Sequence, residues 1–164
     1  MSSNFDHAIK EVLRHEGGYV FDEKDPGGET NFGISKRAHP SVDIKRLTED
    51  KAKEIYKEDY WDKANLSLII NEAVATRVFD FVVNMGIKSG IKQLQRALRS
   101  LGEPIVDDGV LGPVTSAAVN RQYWWMVVPT LQSEAAGYYR SLVAKNPDLE
   151  KFLNGWLRRA YGEF

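Results

Sequence analysis

The sequence predicts a mostly α domain: a helical bundle with one short glycine-rich β-hairpin or loop excursion after the first helix. Apolar residues recur at helical spacing through most of the 164 residues. Glycine and proline punctuate those runs at intervals suited to helix ends. Five glycines and a proline crowd the stretch from Gly17 to Ile34, which also holds Tyr19, Phe21 and Phe32. That stretch is too rich in glycine for a helix and too aromatic for a linker.

Phe5, Ala8, Ile9, Val12 and Leu13 define the first helix. Ser3 and Asp6 have the spacing of a capping box, and Gly17-Gly18 stop the helix at or near Glu16. Thr48 caps a second helix carrying Ala52, Ile55, Tyr56 and Tyr60. Asn71 to Met85 is apolar almost all round, as a central core helix should be, and Gly86 ends it. Ile91, Leu94, Ala97, Leu98 and Leu101 share one face of the next helix, which Gly102 closes. Asp107 to Gly112 is a turn cluster, and Pro113 stands where a helix takes proline, at its first position. Two further helices are expected from about Thr130 to Ala144 and from Asp148 to Ala160, parted by Asn146-Pro147.

Composition narrows the function. Net charge is -1, pI about 6.3 and mean hydropathy -0.40, so no global basic field collects nucleic acid and no tail of like charge is present. Residues 1–80 hold 12 Lys and Arg against 16 Asp and Glu, which leaves the second half mildly basic. Without cysteine there are no disulfides, no thiolate nucleophile and no cysteine-type zinc site. The first eighteen residues carry no export signal, and Arg77, Asp80 and Asn84 interrupt the most apolar run, so no membrane insertion is expected. His7, Glu11 and His15 fall at i, i+4 spacing but lack the H-E-x-x-H order; neither metal nor cofactor is expected.

Glu16 is the strongest candidate for chemistry. At the C-terminal end of a helix the macrodipole disfavours a carboxylate and should raise its pKa. A carboxylic acid still protonated near neutrality is what glycosidic cleavage needs as proton donor. Asp25, nine residues on, lies in a loop able to fold back across the helix end, and two carboxylates in different environments are the minimum apparatus for glycoside hydrolysis. Asp25-Pro-Gly-Gly is equally a strong turn sequence. Thr30 and Asn31 offer a hydroxyl and an amide that could hold a water. Asp80 and Asn84 must have partners on so apolar a helix, and tying the glycine-rich loop to the core is the simplest use for them. Tyr56, Tyr60 and Trp61 suit either sugar stacking or the core.

Glu16-Gly-Gly-Tyr19, Asp25-Pro-Gly-Gly28 and Thr30-Asn-Phe-Gly-Ile-Ser35 together resemble the signature of glycoside hydrolase family 108, a family of lysozyme-like N-acetylmuramidases. The resemblance continues through Tyr56 to Asp62 and Phe79 to Gly86. Leu94 to Leu98 and Asp108-Gly-Val-Leu-Gly-Pro-Val-Thr115 resemble that family's peptidoglycan-binding region. It implies a single lysozyme-like α+β domain over 1–164, with a catalytic lobe over about 1–87 and a helical peptidoglycan-binding-like lobe over about 88–164. Glu16 takes the role of the family's acid, with Asp25 and Thr30 as further catalytic residues and Tyr19, Asn31, Tyr60 and Asn84 at the substrate. Phage-type lysozymes place a threonine where this chain has Asn31, with Thr30 one residue early, so the third role lies between these two.

The implied reaction cleaves the β-1,4 bond between N-acetylmuramic acid and N-acetylglucosamine; a lytic transglycosylase and a non-catalytic wall-binding or secretion-associated protein are the rivals. The implied partner is the peptidoglycan glycan strand, met by a monomer. In a phage endolysin setting the protein is made in the host cytoplasm and reaches the wall through a holin pore.

Overall fold

A computed structural model describes residues 3–15, 18–21 and 28–162. The first helix, α1 (Asn4–His15), opens on a complete capping box: the Asp6 amide donates to Ser3 Oγ at 3.2 Å and the Ser3 amide to Asp6 Oδ2 at 2.8 Å. Hydrogen bonding from the Ser3 amide, and then from the Ser3 side chain, holds the Asp6 carboxyl below its ordinary pKa. Three short strands follow, β1 (Val20–Phe21), β2 (Glu29–Asn31) and β3 (Ile34–Ser35), in one antiparallel sheet of that order. Val20 lies opposite Thr30, which in turn lies opposite Ser35.

Thr48 caps α2 (Glu49–Tyr56) by accepting from the Lys51 amide, and the helix runs on through a π-helical turn at Lys57–Asp62. The widened turn buries Trp61. Its ring meets Phe5 and Phe79 edge to face at 5.4 and 5.3 Å, uniting α1, the π turn and α3 (Glu72–Met85). Asn71 caps α3 through the Val74 amide. Gly86, at φ +84°, turns the chain straight into α4 (Ile87–Ser100), a conformation that disfavours any side chain. Gly90 then lets α4 approach α3 almost backbone to backbone, because a Cβ there would lie 2.8 Å from the Val82 nitrogen.

Beyond these come α5 (Pro113–Arg121), α6 (Trp124–Lys145) and α7 (Glu150–Tyr161). One hydrophobic core runs without interruption from Ile9 and Val12 through Phe79 and Val82 to Leu94, Leu98, Leu131 and Ala160. No helix among the described residues is long and apolar enough to cross a membrane.

Most elements lie where helical spacing puts them, but α6 begins at Trp124, six residues ahead of the expected Thr130. Pro129 explains the difference. Proline reads as a breaker, yet near a helix start it removes a single backbone bond, to Trp125, and the buried Val127 and Leu131 hold the turn in place.

The Asp108-to-Thr115 motif has an internal role as well. Gln95, 1% exposed on α4, donates to Asp108 Oδ1 at 2.7 Å, to the Val110 carbonyl at 3.1 Å and to Thr115 Oγ1 at 3.1 Å. Its carbonyl oxygen accepts from the Gly109 amide at 2.8 Å. The motif is thus wound around one buried amide. Gln95→Leu would strand these partners, at a cost of about 3 kcal/mol. The expected fall in Tm, about 6–12 °C, is readable by calorimetry; a change under 2 °C would show that the loop finds other partners.

Candidate functional site

The hairpin built by β2 and β3 centres on Phe32 and Gly33, with φ of 49° and 74°. Both central residues are therefore left-handed, as the tightest antiparallel connection requires. A phenylalanine in that conformation needs support. It comes from Tyr56 on α2, whose hydroxyl donates to the Phe32 carbonyl at 2.9 Å, while the Tyr60 ring stands 5.7 Å from that of Tyr56. Tyr56 and Trp61 are core residues, 3% and 2% exposed, whereas Tyr60 is half-buried beside Tyr56.

Alternation along β2 puts Glu29 and Asn31 on one face and Thr30 on the other. Asn31, 7% exposed, turns inward, and its amide nitrogen donates to the carbonyls of Ile44 and Leu47 at 3.1 and 3.5 Å. A sugar could reach that nitrogen only by breaking bonds that pin the 44–47 loop to the sheet. Thr30 stays half-buried in the row formed with Val20 and Ser35. Tyr19 is exposed and donates through its hydroxyl to Glu29 Oε1 at 3.1 Å. Desolvation and that carboxylate raise the pKa of the phenol.

α1 runs alongside α3 in the same direction. Asn4 Nδ2 donates to the Ile69 and Ile70 carbonyls, His7 Nδ1 lies 3.5 Å from Glu72, and Arg77 feels the charge of Glu11. The last turn of α1 is therefore level with the second half of α3, where Asp80 and Asn84 stand. Glu16 and Asp25 themselves lie outside the described residues.

Asp80 and Asn84 do have partners, and among the described residues these include Arg159 on α7 and Tyr139 on α6. Asp80, 5% exposed, takes Arg159 Nε at 3.0 Å and Nη2 at 2.9 Å on Oδ1, with Arg77 Nη1 4.0 Å from Oδ2. Burial lowers the pKa of Arg77, and the charge of Asp80 partly offsets it. Asn84 is exposed at the end of α3 and accepts on Oδ1 from the Tyr139 hydroxyl at 2.5 Å. Burial pushes the Tyr139 pKa far up, so this hydroxyl keeps its proton and the bond keeps its direction.

The small sheet thus gathers Tyr19, Thr30 and Asn31, Tyr60 stands beside the Tyr56 that supports its turn, and Asn84 is oriented separately, from α6. Arg77, Arg159 and Tyr139 carry no motif that marks them in the sequence. The Arg77–Asp80 spacing on an apolar helix signals a buried charge; nothing local points to partners 55 and 79 residues away.

A family model described as Glycosyl hydrolase 108 matches residues 9–86, and one described as Predicted Peptidoglycan domain matches residues 89–161. Among solved structures, SagA of Brucella abortus is similar at 29% identity and a TM-score of 0.77, over 97% of this chain and 90% of that one. No curated protein matches the sequence.

Proposed function

Residues 9–86 belong to the glycosyl hydrolase 108 family, and from that membership we propose that this peptidoglycan-acting glycoside hydrolase is an N-acetylmuramidase that uses Glu16 as its proton donor. The match over residues 9–86, which contains the Glu16, Asp25 and Thr30 motifs, carries this reading. Glu16 protonates the bridging oxygen of the β-1,4 bond between N-acetylmuramic acid and N-acetylglucosamine as positive charge develops at the anomeric carbon. Asp25 stabilises that charge or, with Thr30, directs a water to the carbon. Thr30 is preferred to Asn31 for this task because the Asn31 amide nitrogen is already committed to Ile44 and Leu47. Tyr19 and Tyr60 line the substrate path beside the hairpin, and Asn84 offers its amide nitrogen to a sugar while Tyr139 holds its oxygen. In an endolysin setting, access to the wall comes through a membrane pore.

Digestion of purified sacculi followed by mass spectrometry of the soluble fragments tests the bond and the chemistry together. Fragments ending in reducing N-acetylmuramic acid are expected. Anhydro ends would replace the reading with lytic transglycosylation, in which the substrate's own 6-hydroxyl takes the place of water, and an absence of fragments would overturn it.

Tyr139→Phe probes the orientation of Asn84. Only one hydrogen bond to an exposed amide is lost, so stability should fall by about 1 kcal/mol. KM for sacculus fragments is expected to rise severalfold with kcat nearly unchanged; a drop in kcat at constant KM would place Asn84 outside ground-state binding.

A further inference from the structure

Tyr123, Trp124 and Trp125, three consecutive aromatics at the start of α6, are 61%, 47% and 55% exposed. Tyr123 and Trp125 stack nearly parallel, 4.6 Å apart at 15°, and Trp124 stands across Trp125 at 83°. They form a face-to-face stack with an upright wall across Trp125. Neither the indole N–H groups nor the phenol O–H finds a hydrogen-bond partner among the described residues. Ile70, 77% exposed, lines with them an open cleft of about 350 Å³, within the range of small-ligand sites.

The frame of this cleft is rigid. Asn120 donates to the Leu68 carbonyl at 2.8 Å and accepts from the Ile70 amide at 3.0 Å, locking α5 to the segment before α3. Asn71 caps α3 with its oxygen, and Gln122 donates its amide to Glu103. These commitments leave the Asn71 amide nitrogen and the Gln122 amide oxygen without a partner among the described residues. One donor and one acceptor therefore accompany the exposed aromatic rings. Among the described residues, the only charged one in the lining is Glu72, beside His7. With no cation in that lining, the cleft does not suit a phosphate, an anionic lipid surface or a nucleic acid.

We propose that this aromatic corner is a second saccharide site, taking a neutral N-acetylated sugar of the glycan strand with the pyranose C–H face on an outer ring face of the Tyr123–Trp125 stack and the acetamido group toward Asn71 and Gln122. The choice of a glycan rests on the peptidoglycan-hydrolase reading; the cleft itself does not. The corner joins Ile70–Glu72, inside one matched region, to Val119–Trp125, inside the other. Glu72 and Asn84 are twelve residues apart on α3, about 18 Å along its axis. The corner is thus an anchoring site at a distance from the cleavage apparatus.

The chain has four tryptophans, which gives a local readout. On titration with chitotetraose, the indole N–H resonances of Trp124 and Trp125 are expected to shift while those of Trp61 and Trp156 stay. The Trp124→Ala/Trp125→Ala double variant should melt within a few degrees of wild type, bind sacculi about tenfold more weakly and cleave short soluble fragments at the wild-type rate. Unmoved Trp124 and Trp125 resonances, or sacculus retention equal to wild type, would overturn the proposal. So would resonances that move on dilution, showing self-association, or with anionic phospholipid vesicles in place of the saccharide. Should sacculi remain undigested by wild type while Trp124 and Trp125 still shift, the muramidase reading fails and the saccharide site stands. Digestion by wild type with undiminished retention of the double variant removes the saccharide site and leaves the muramidase reading in place.

Discussion

Glu16→Gln is expected to slow fragment release from sacculi about 10³-fold while leaving the fold and sacculus binding unchanged. The glutamine keeps the shape of the side chain and removes its proton, and positioned proton donors contribute roughly 10² to 10⁴ to such reactions. α1, the helix that Glu16 follows in the sequence, is fastened by buried Phe5, Ala8, Ile9 and Val12, so the substitution should not disturb it. Because the donor acts in its protonated form, wild-type kcat should fall as pH rises through its pKa, and the variant's residual rate should lack that limb. Reducing-end release from sacculi between pH 4 and 9 reads both effects. Equal rates for the two proteins would remove Glu16 from the mechanism.

Arg159→Ala carries the largest expected effect on stability. It leaves the carboxylate of Asp80, 5% exposed, facing only Arg77 at 4.0 Å among the described residues. Breaking one partner of a buried pair costs about 3–5 kcal/mol, corresponding in a chain of this length to roughly 6–20 °C in Tm. Replacing both charges together, as Asp80→Leu with Arg159→Met, should recover most of the loss, because the desolvation of two ions disappears with them. Thermal melts of the two variants beside wild type decide the matter. A single variant melting within 2 °C of wild type would show that water reaches Asp80.

What the sequence disclosed and what it withheld follow from the range of the interactions. The Ser3–Asp6 box, the Thr48 cap and the stop at Gly86 each involve residues at most three apart, and each stands in the structure as expected. The start of α6 is obscured because Pro129 sends a strong local signal that buried neighbours override. The Phe32–Gly33 turn lacks the usual Asn-Gly spelling, and Tyr56, 24 residues away, holds it in place. Asp80 is recognisable as needing a partner, but nothing in the sequence marks Arg159 as that partner. In the candidate site, residue types and motif spacing point to Thr30 and Asn31 together. Only the direction of alternation along β2 separates an inward amide from a hydroxyl on the other face.

The near-contact of Gly90 with Val82 has a bearing on engineering. Hydrolases with a wall-binding module on a linker can exchange modules to change target, because the linker carries no packing. Here residues 9–86 and 89–161 share one hydrophobic interior, and the junction between them, Gly86 to Gly90, is itself part of the helix-to-helix seam. Chimeras cut at residue 87 would expose both halves of that interior and should be recovered as insoluble protein. Retargeting is better sought by substitution on the finished surface, leaving the seam whole.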